Sequence, residues 1–191
     1  MANEDFQIRA ARRDDAAFLL PLIDRAGEGI PEYVWAQMAA PGEDPRAVGR
    51  RRIESEDAGI SYRNAWIAEL AGRPAGCLIA YRQPDIAPPL DPDLPSMFVP
   101  LQELENTAPG TGYVYILSTV AAMRGRGVGT RLLDFAERYR GPNGMSLIVA
   151  DSNLGAKSLY ERCGYAEAAR RRMVKNGWRS PGTDWILMVR P

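Results

Sequence analysis

Apolar and polar residues alternate near the start of the chain, where Phe6, Ile8 and Ala10 share one side of an extended segment and predict a strand. The spacing then changes to that of a helix. Phe18, Leu19, Leu22 and Ile23 recur on one face, with Asp14 or Asp15 placed to cap it and Gly27 and Gly29 to end it. A short helix is expected over Pro31–Ala39, with proline in its favoured first position. Another opens at Asp44-Pro45 and runs to about Glu56. Asn64–Leu70 and Ala75–Tyr81 are apolar runs separated by Ala71-Gly72-Arg73-Pro74, which reads as a hairpin. Six prolines between Gln83 and Pro100 exclude a regular element there and predict a long surface loop.

The second half of the chain is more regular. Tyr113–Val120, rich in Tyr, Val and Ile, is the clearest strand. A helix is expected over about Gly127–Arg140, burying Val128, Leu132, Leu133, Phe135 and Ala136. Met145–Ala150 then reads as a strand and Asn153–Arg162 as a helix. Tyr165–Ala169 and Trp185–Val189 close the chain as strands. At 191 residues this is the size of one α/β domain.

Composition narrows the chemistry. The chain has no histidine, which removes Ser-His-Asp and Cys-His nucleophiles, histidine acid–base catalysis and most zinc sites. No metal is expected. Lys plus Arg equal Asp plus Glu at 24 each, so bulk charge gives no reason to expect a nucleic-acid partner. No apolar run is long enough for a bilayer, and Met1–Asp5 lacks the apolar core of a secretory signal. Two cysteines, Cys77 and Cys163, make no disulfide framework, so a cytoplasmic setting is expected.

Arg124-Gly125-Arg126-Gly127-Val128-Gly129-Thr130 lies between the clearest strand and an amphipathic helix. Alternate glycines let the backbone approach a ligand, and the helix start adds unpaired N–H groups and a positive dipole end. Such a cradle suits phosphate. The Gly-Lys-Ser/Thr ending of a P-loop is absent, and the glycine spacing does not fit a dinucleotide fold.

Arg124, Gly127 and Gly129 match the cofactor-loop signature Arg/Gln-x-x-Gly-x-Gly/Ala of the GNAT superfamily of N-acetyltransferases. Asn153, Ala156, Leu159, Tyr160, Gly164 and Tyr165 match its second motif in full. On both motifs, in this order, the chain resembles that superfamily over nearly its whole length. The resemblance implies a single domain over residues 1–191. It would be a mixed, mostly antiparallel sheet of six or seven strands with helices on both faces and a splayed central strand pair. Residues 111–165 would form the cofactor half, and 27–62, 83–105 and 170–191 the acceptor side.

The resemblance also assigns roles. Acetyl-CoA would be the cosubstrate, its pyrophosphate on the amides of Gly125, Arg126, Gly127, Val128, Gly129 and Thr130, with Arg124 at the entrance. Backbone groups of Leu117, Ser118 and Thr119 would meet pantetheine, and the Thr119 N–H would polarise the thioester carbonyl. Asn153 and Ala156 would flank the pantetheine arm. Tyr160 would act as general acid: a phenol near 10 stays protonated where a thiol near 8.5 ionises, so it can donate a hydrogen bond to the departing thiolate. The acceptor would be a primary amine, attacking directly. The histone-acetylating branch carries a glutamate where this chain has Tyr113, which leaves Glu105 or Glu103, just upstream, as a base working through water. Thr119 stands where valine is usual, a change of little consequence at a backbone-mediated position. A homodimer is common in the family. The rival reading is a non-catalytic acyl-CoA-binding module on the same scaffold.

Overall fold

A computed structural model describes residues 5–191. The acidic start at Met1–Glu4 lies outside the described residues. Seven strands form one sheet: β1 (Phe6–Ala10), β2 (Ala65–Leu70), β3 (Arg73–Arg82), β4 (Gly112–Thr119), β5 (Met145–Ala150), β6 (Ala166–Arg172) and β7 (Asp184–Arg190). Their spatial order is β1-β2-β3-β4-β5-β7-β6. Among the described residues six α-helices accompany them: α1 (Ala16–Ala26), α2 (Ile30–Met38), α3 (Pro45–Glu54), α4 (Val99–Glu105), α5 (Val128–Ala136) and α6 (Leu154–Arg162). None is long and apolar enough to cross a membrane. The chain divides into two compact units, one running up to Ile79 and including Ile116–Leu132, the other comprising Ala80–Tyr115 and Leu133–Pro191.

In the first unit β1 pairs antiparallel with β2, and β2 with β3. The β2–β3 turn is tighter than the sequence indicated: Leu70 pairs with Arg73, so only Ala71 and Gly72 turn the chain, both at positive φ (51° and 70°). That is the backbone of a two-residue hairpin whose twist matches its strands. Pro74 is accommodated beside a bulge at Ala68/Glu69. Asp15 does not cap α1 with its side chain. Its carboxylate instead takes both terminal nitrogens of Arg9 at 2.7 and 2.9 Å and the N–H of Arg12. Asp44, in contrast, caps α3 by accepting from the Arg46 N–H. Helices α2 and α3 meet where Gly49 lies flat on Trp35; a Cβ there would fall 2.5 Å from the indole. Trp35 is buried in the core with Leu19, Ile23, Ile53 and Ile67, where it supplies packing.

In the second unit β4 and β5 run parallel in register over Gly112–Val114 and Met145–Leu147, whereas β5 is paired with β7 over its full length. Antiparallel β6–β7 completes this part of the sheet. The end of the proline-rich stretch departs from expectation and is helical, as α4. Pro100 lies in the first turn, where no N–H is required of it, so here proline starts a helix instead of forbidding one. Helix α5 also ends early, at Ala136, and tightens into a 3-10 turn over Glu137–Tyr139. Phe135 stays half-buried beneath the Arg138 guanidinium, 3.7 Å from its ring centre.

Candidate active site

The loop before α5 has the geometry an anion cradle requires. Gly125 and Gly127 both adopt left-handed backbone, φ 73° and 79°, and a Cβ on either would meet nothing within 4 Å. The conformation demands glycine while the space over it stays open. Arg124 to Gly127 are exposed, and Val128 anchors the helix start in the core. The first helical hydrogen bond runs from the Arg131 N–H to the Gly127 carbonyl, so the amides of Val128, Gly129 and Thr130 precede it. Together with two arginine side chains, these features fit a pyrophosphate.

A glycine that the sequence did not single out sets this loop's position. Gly76 on β3 faces Ser118 of β4 and the first turn of α5. A Cβ there would lie 2.8 Å from the Ser118 carbonyl oxygen, 3.1 Å from Val128 and 3.3 Å from Leu132. Absence of a side chain lets β4 and α5 close on β3. The Val120 N–H donates to the Ala75 carbonyl at 2.8 Å and fixes the end of β4 just beyond Thr119. Leu117 and Thr119 are partly buried and Ser118 buried. These residues and the glycine loop therefore lie in the first unit. Cys77 beside them is fully buried, and burial pushes its thiol up to about 12, which makes it inert as a nucleophile.

Asn153, Ala156, Tyr160 and Glu105 lie in the second unit. Asn153 caps α6, its Oδ1 accepting from the Ala156 N–H at 3.3 Å. Tyr160 is buried in the last turn of α6, its ring centre 6.2 Å from that of Tyr165. The tyrosine carbonyl accepts from the N–H groups of Cys163 and Tyr165, so the Gly164 turn holds Tyr160 from behind.

The two glutamates considered as bases separate clearly. Glu103 forms an ion pair with Arg171 at 2.7 Å. Glu105 sits partly buried at the end of α4 and accepts a hydrogen bond from the Tyr113 hydroxyl. Burial raises its carboxyl to about 7, against which the Tyr113 hydrogen bond works in the opposite direction. Tyr81, Tyr113 and Tyr115 cluster beside it with ring centres 5.6 to 6.2 Å apart. Burial also raises Tyr81 and Tyr113, and the nearby Glu105 charge adds to the effect on both. Tyr113 and Tyr115 stand two apart on β4. That Tyr81 joins them follows from the β3–β4 register, which no local pattern reveals.

A sequence model of the acetyltransferase (GNAT) family matches residues 32–165. No curated protein matches the chain in sequence. Among solved structures, an N-acetyltransferase from Staphylococcus aureus Mu50 is 18% identical with a TM-score of 0.63, over 96% of this chain and 99% of that one. A Pyrococcus horikoshii OT3 protein is 16% identical with a TM-score of 0.59, over 97% and 98%. Diaminobutyrate acetyltransferase EctA from Paenibacillus lautus, solved with L-2,4-diaminobutyric acid and coenzyme A, is 13% identical with a TM-score of 0.54, over 99% and 96%. At such identities the likeness is one of fold, and the family assignment rests on the sequence match. The chain belongs to the acetyltransferase (GNAT) family, and its general chemistry is acyl transfer from acetyl-CoA.

Proposed function

We propose that the protein transfers the acetyl group of acetyl-CoA to a primary amine by direct attack of the amine on the thioester. The observation that carries this reading is the exposed loop at Arg124–Thr130, with left-handed Gly125 and Gly127 leading into α5. Acetyl-CoA supplies an activated acyl group. The amides of Gly125 to Thr130 and the Arg124 side chain hold its pyrophosphate, and the N–H of Thr119 polarises the carbonyl. Leu117, Ser118, Asn153 and Ala156 position the pantetheine arm.

Glu105 accepts the proton that the ammonium must lose before attack. A carboxylate near 7 is half ionised at neutral pH and basic enough to compete for that proton, where an ordinary one near 4 is not. Its hydrogen bond to Tyr113 fixes its orientation. Tyr160 donates a proton to the departing sulfur and is restored by the second proton that the attacking nitrogen loses, so an ammonium acceptor gives amide, CoA thiol and one released proton. Burial holds the Cys77 thiol far from ionisation, which disfavours an acyl-enzyme at that residue.

Calorimetric titration with acetyl-CoA and CoA tests the reading, comparing wild type with Gly127→Glu. Gly42→Glu is the control: Gly42 has φ 80° and open space around it, so it carries the same backbone strain at another place. Micromolar binding lost in Gly127→Glu and kept in Gly42→Glu is expected. Equal binding by all three proteins overturns the proposal.

A further inference from the structure

Among the described residues, Glu105 is a carboxylate with no ion-pair partner. Helix α4 packs against β5, β6 and β7, and every arginine on those strands is committed to another acid. Arg170 pairs with Glu167 and Asp184, Arg171 with Glu103, Arg172 with Asp184, and Arg190 with Glu137. Helix α4, β4 and β5 contain no lysine or arginine, and Arg82 at the end of β3 pairs with Asp85. What faces Glu105 instead is aromatic. Tyr113 is buried and hydrogen-bonded to it, while Tyr81 and Tyr115 are 40% and 42% exposed. The three rings lie within 6.2 Å of one another, tilted by 30° to 62°.

A partly buried negative charge costs free energy unless a cation meets it. Electron-rich rings attract the same kind of partner across their faces. The rings pack on one another, and a ligand cation would meet both their exposed portions and the carboxylate. Among the described residues no lysine or arginine forms an ion pair with Glu105, which leaves the place to a cation from outside.

We propose that Tyr81, Tyr113, Tyr115 and Glu105 form a subsite for an organic ammonium, so that the acceptor arrives as a protonated alkylamine. That this cation is the acceptor rests on the acetyl-transfer reading; that the cluster binds a cation does not. The chemistry selects against acceptors with a carboxylate beside the amine, because a second negative charge would meet Glu105. It favours monoamines, diamines and lysine-like side chains.

The test uses the full chain without acetyl-CoA and follows tyrosine and ligand signals by NMR titration. Choline is compared with its uncharged isostere, in which a quaternary carbon replaces the nitrogen. Butylammonium is compared with butanol in case the site is too narrow for choline. At least one charged probe should bind about tenfold more tightly than its neutral counterpart. That preference should collapse in Glu105→Gln and weaken in Tyr115→Leu, with melting curves of both variants separating lost binding from lost folding. Neutral probes binding as well as charged ones, or no binding by either cation, overturns the subsite. Titrating the same samples with CoA separates the two ideas. CoA binding without charge preference removes the ammonium subsite alone; charge preference without CoA binding removes acetyl transfer and leaves a cation site.

Discussion

Replacing Glu105 with glutamine should stabilise the protein above neutral pH while slowing its reaction. In the folded state the Glu105 carboxyl is raised from 4.5 to about 7, with burial the main cause. The folded protein therefore holds this proton more tightly than the unfolded chain does. Stability falls as pH rises from about 4.5 through 7, because the unfolded chain ionises first and the folded state must then carry a buried charge. At about 1.4 kcal/mol per tenfold change, the full cost is about 3 kcal/mol, and residual solvent access reduces this to about 1–3 kcal/mol. Glutamine keeps the shape and an acceptor for the Tyr113 hydroxyl but never ionises. For a chain of this size each kcal/mol moves Tm by about 2–4 °C, so Glu105→Gln should melt several degrees above wild type at pH 8. At pH 4 the advantage should vanish. Differential scanning calorimetry across that range measures it. A variant that is less stable than wild type at pH 8, or a gap that does not change with pH, refutes the reasoning.

Other expectations follow from the same geometry. As the base, Glu105 should give kcat/KM an acid limb that rises with pH through about 7, and Glu105→Gln should remove that limb; initial rates at saturating acetyl-CoA check it. Tyr160→Phe should lower kcat about tenfold to a hundredfold with acetyl-CoA affinity unchanged, as stopped-time assays and calorimetry would read. Gly76→Val should weaken CoA binding without touching the loop, since its side chain would collide with the Ser118 carbonyl and push α5 away; a CoA titration paired with a melting curve detects it. Gly49→Ala should cost about 1–3 kcal/mol through its clash with the Trp35 ring, measured by urea denaturation.

Much of this was legible in the sequence because the signals were local. The β4 strand and the Arg124–Thr130 loop announce themselves through composition, and the Asn153–Tyr165 motif through spacing. What escaped depends on partners distant in the chain. Asp15 stood where a helix cap belongs, yet Arg9 on β1 holds its carboxylate. Pro100 looked like the last of a series of breakers, but the first turn of a helix tolerates it. Gly76 reads as an ordinary strand glycine until β4 and α5 close over it. Glu103 and Glu105, alike in sequence, diverge only because Arg171 of β6 reaches one and Tyr113 of β4 the other.

The most direct measurement of acetyl transfer is turnover with acetyl-CoA labelled in its acetyl group. The purified protein is incubated with a panel of primary alkylamines, and products are read by mass spectrometry. The label should appear as an amide on at least one amine, with matching release of CoA, and both should be lost in Gly127→Glu. A thioester left intact by every amine, while CoA still binds, would contradict catalysis and leave an acyl-CoA-binding module on the GNAT fold.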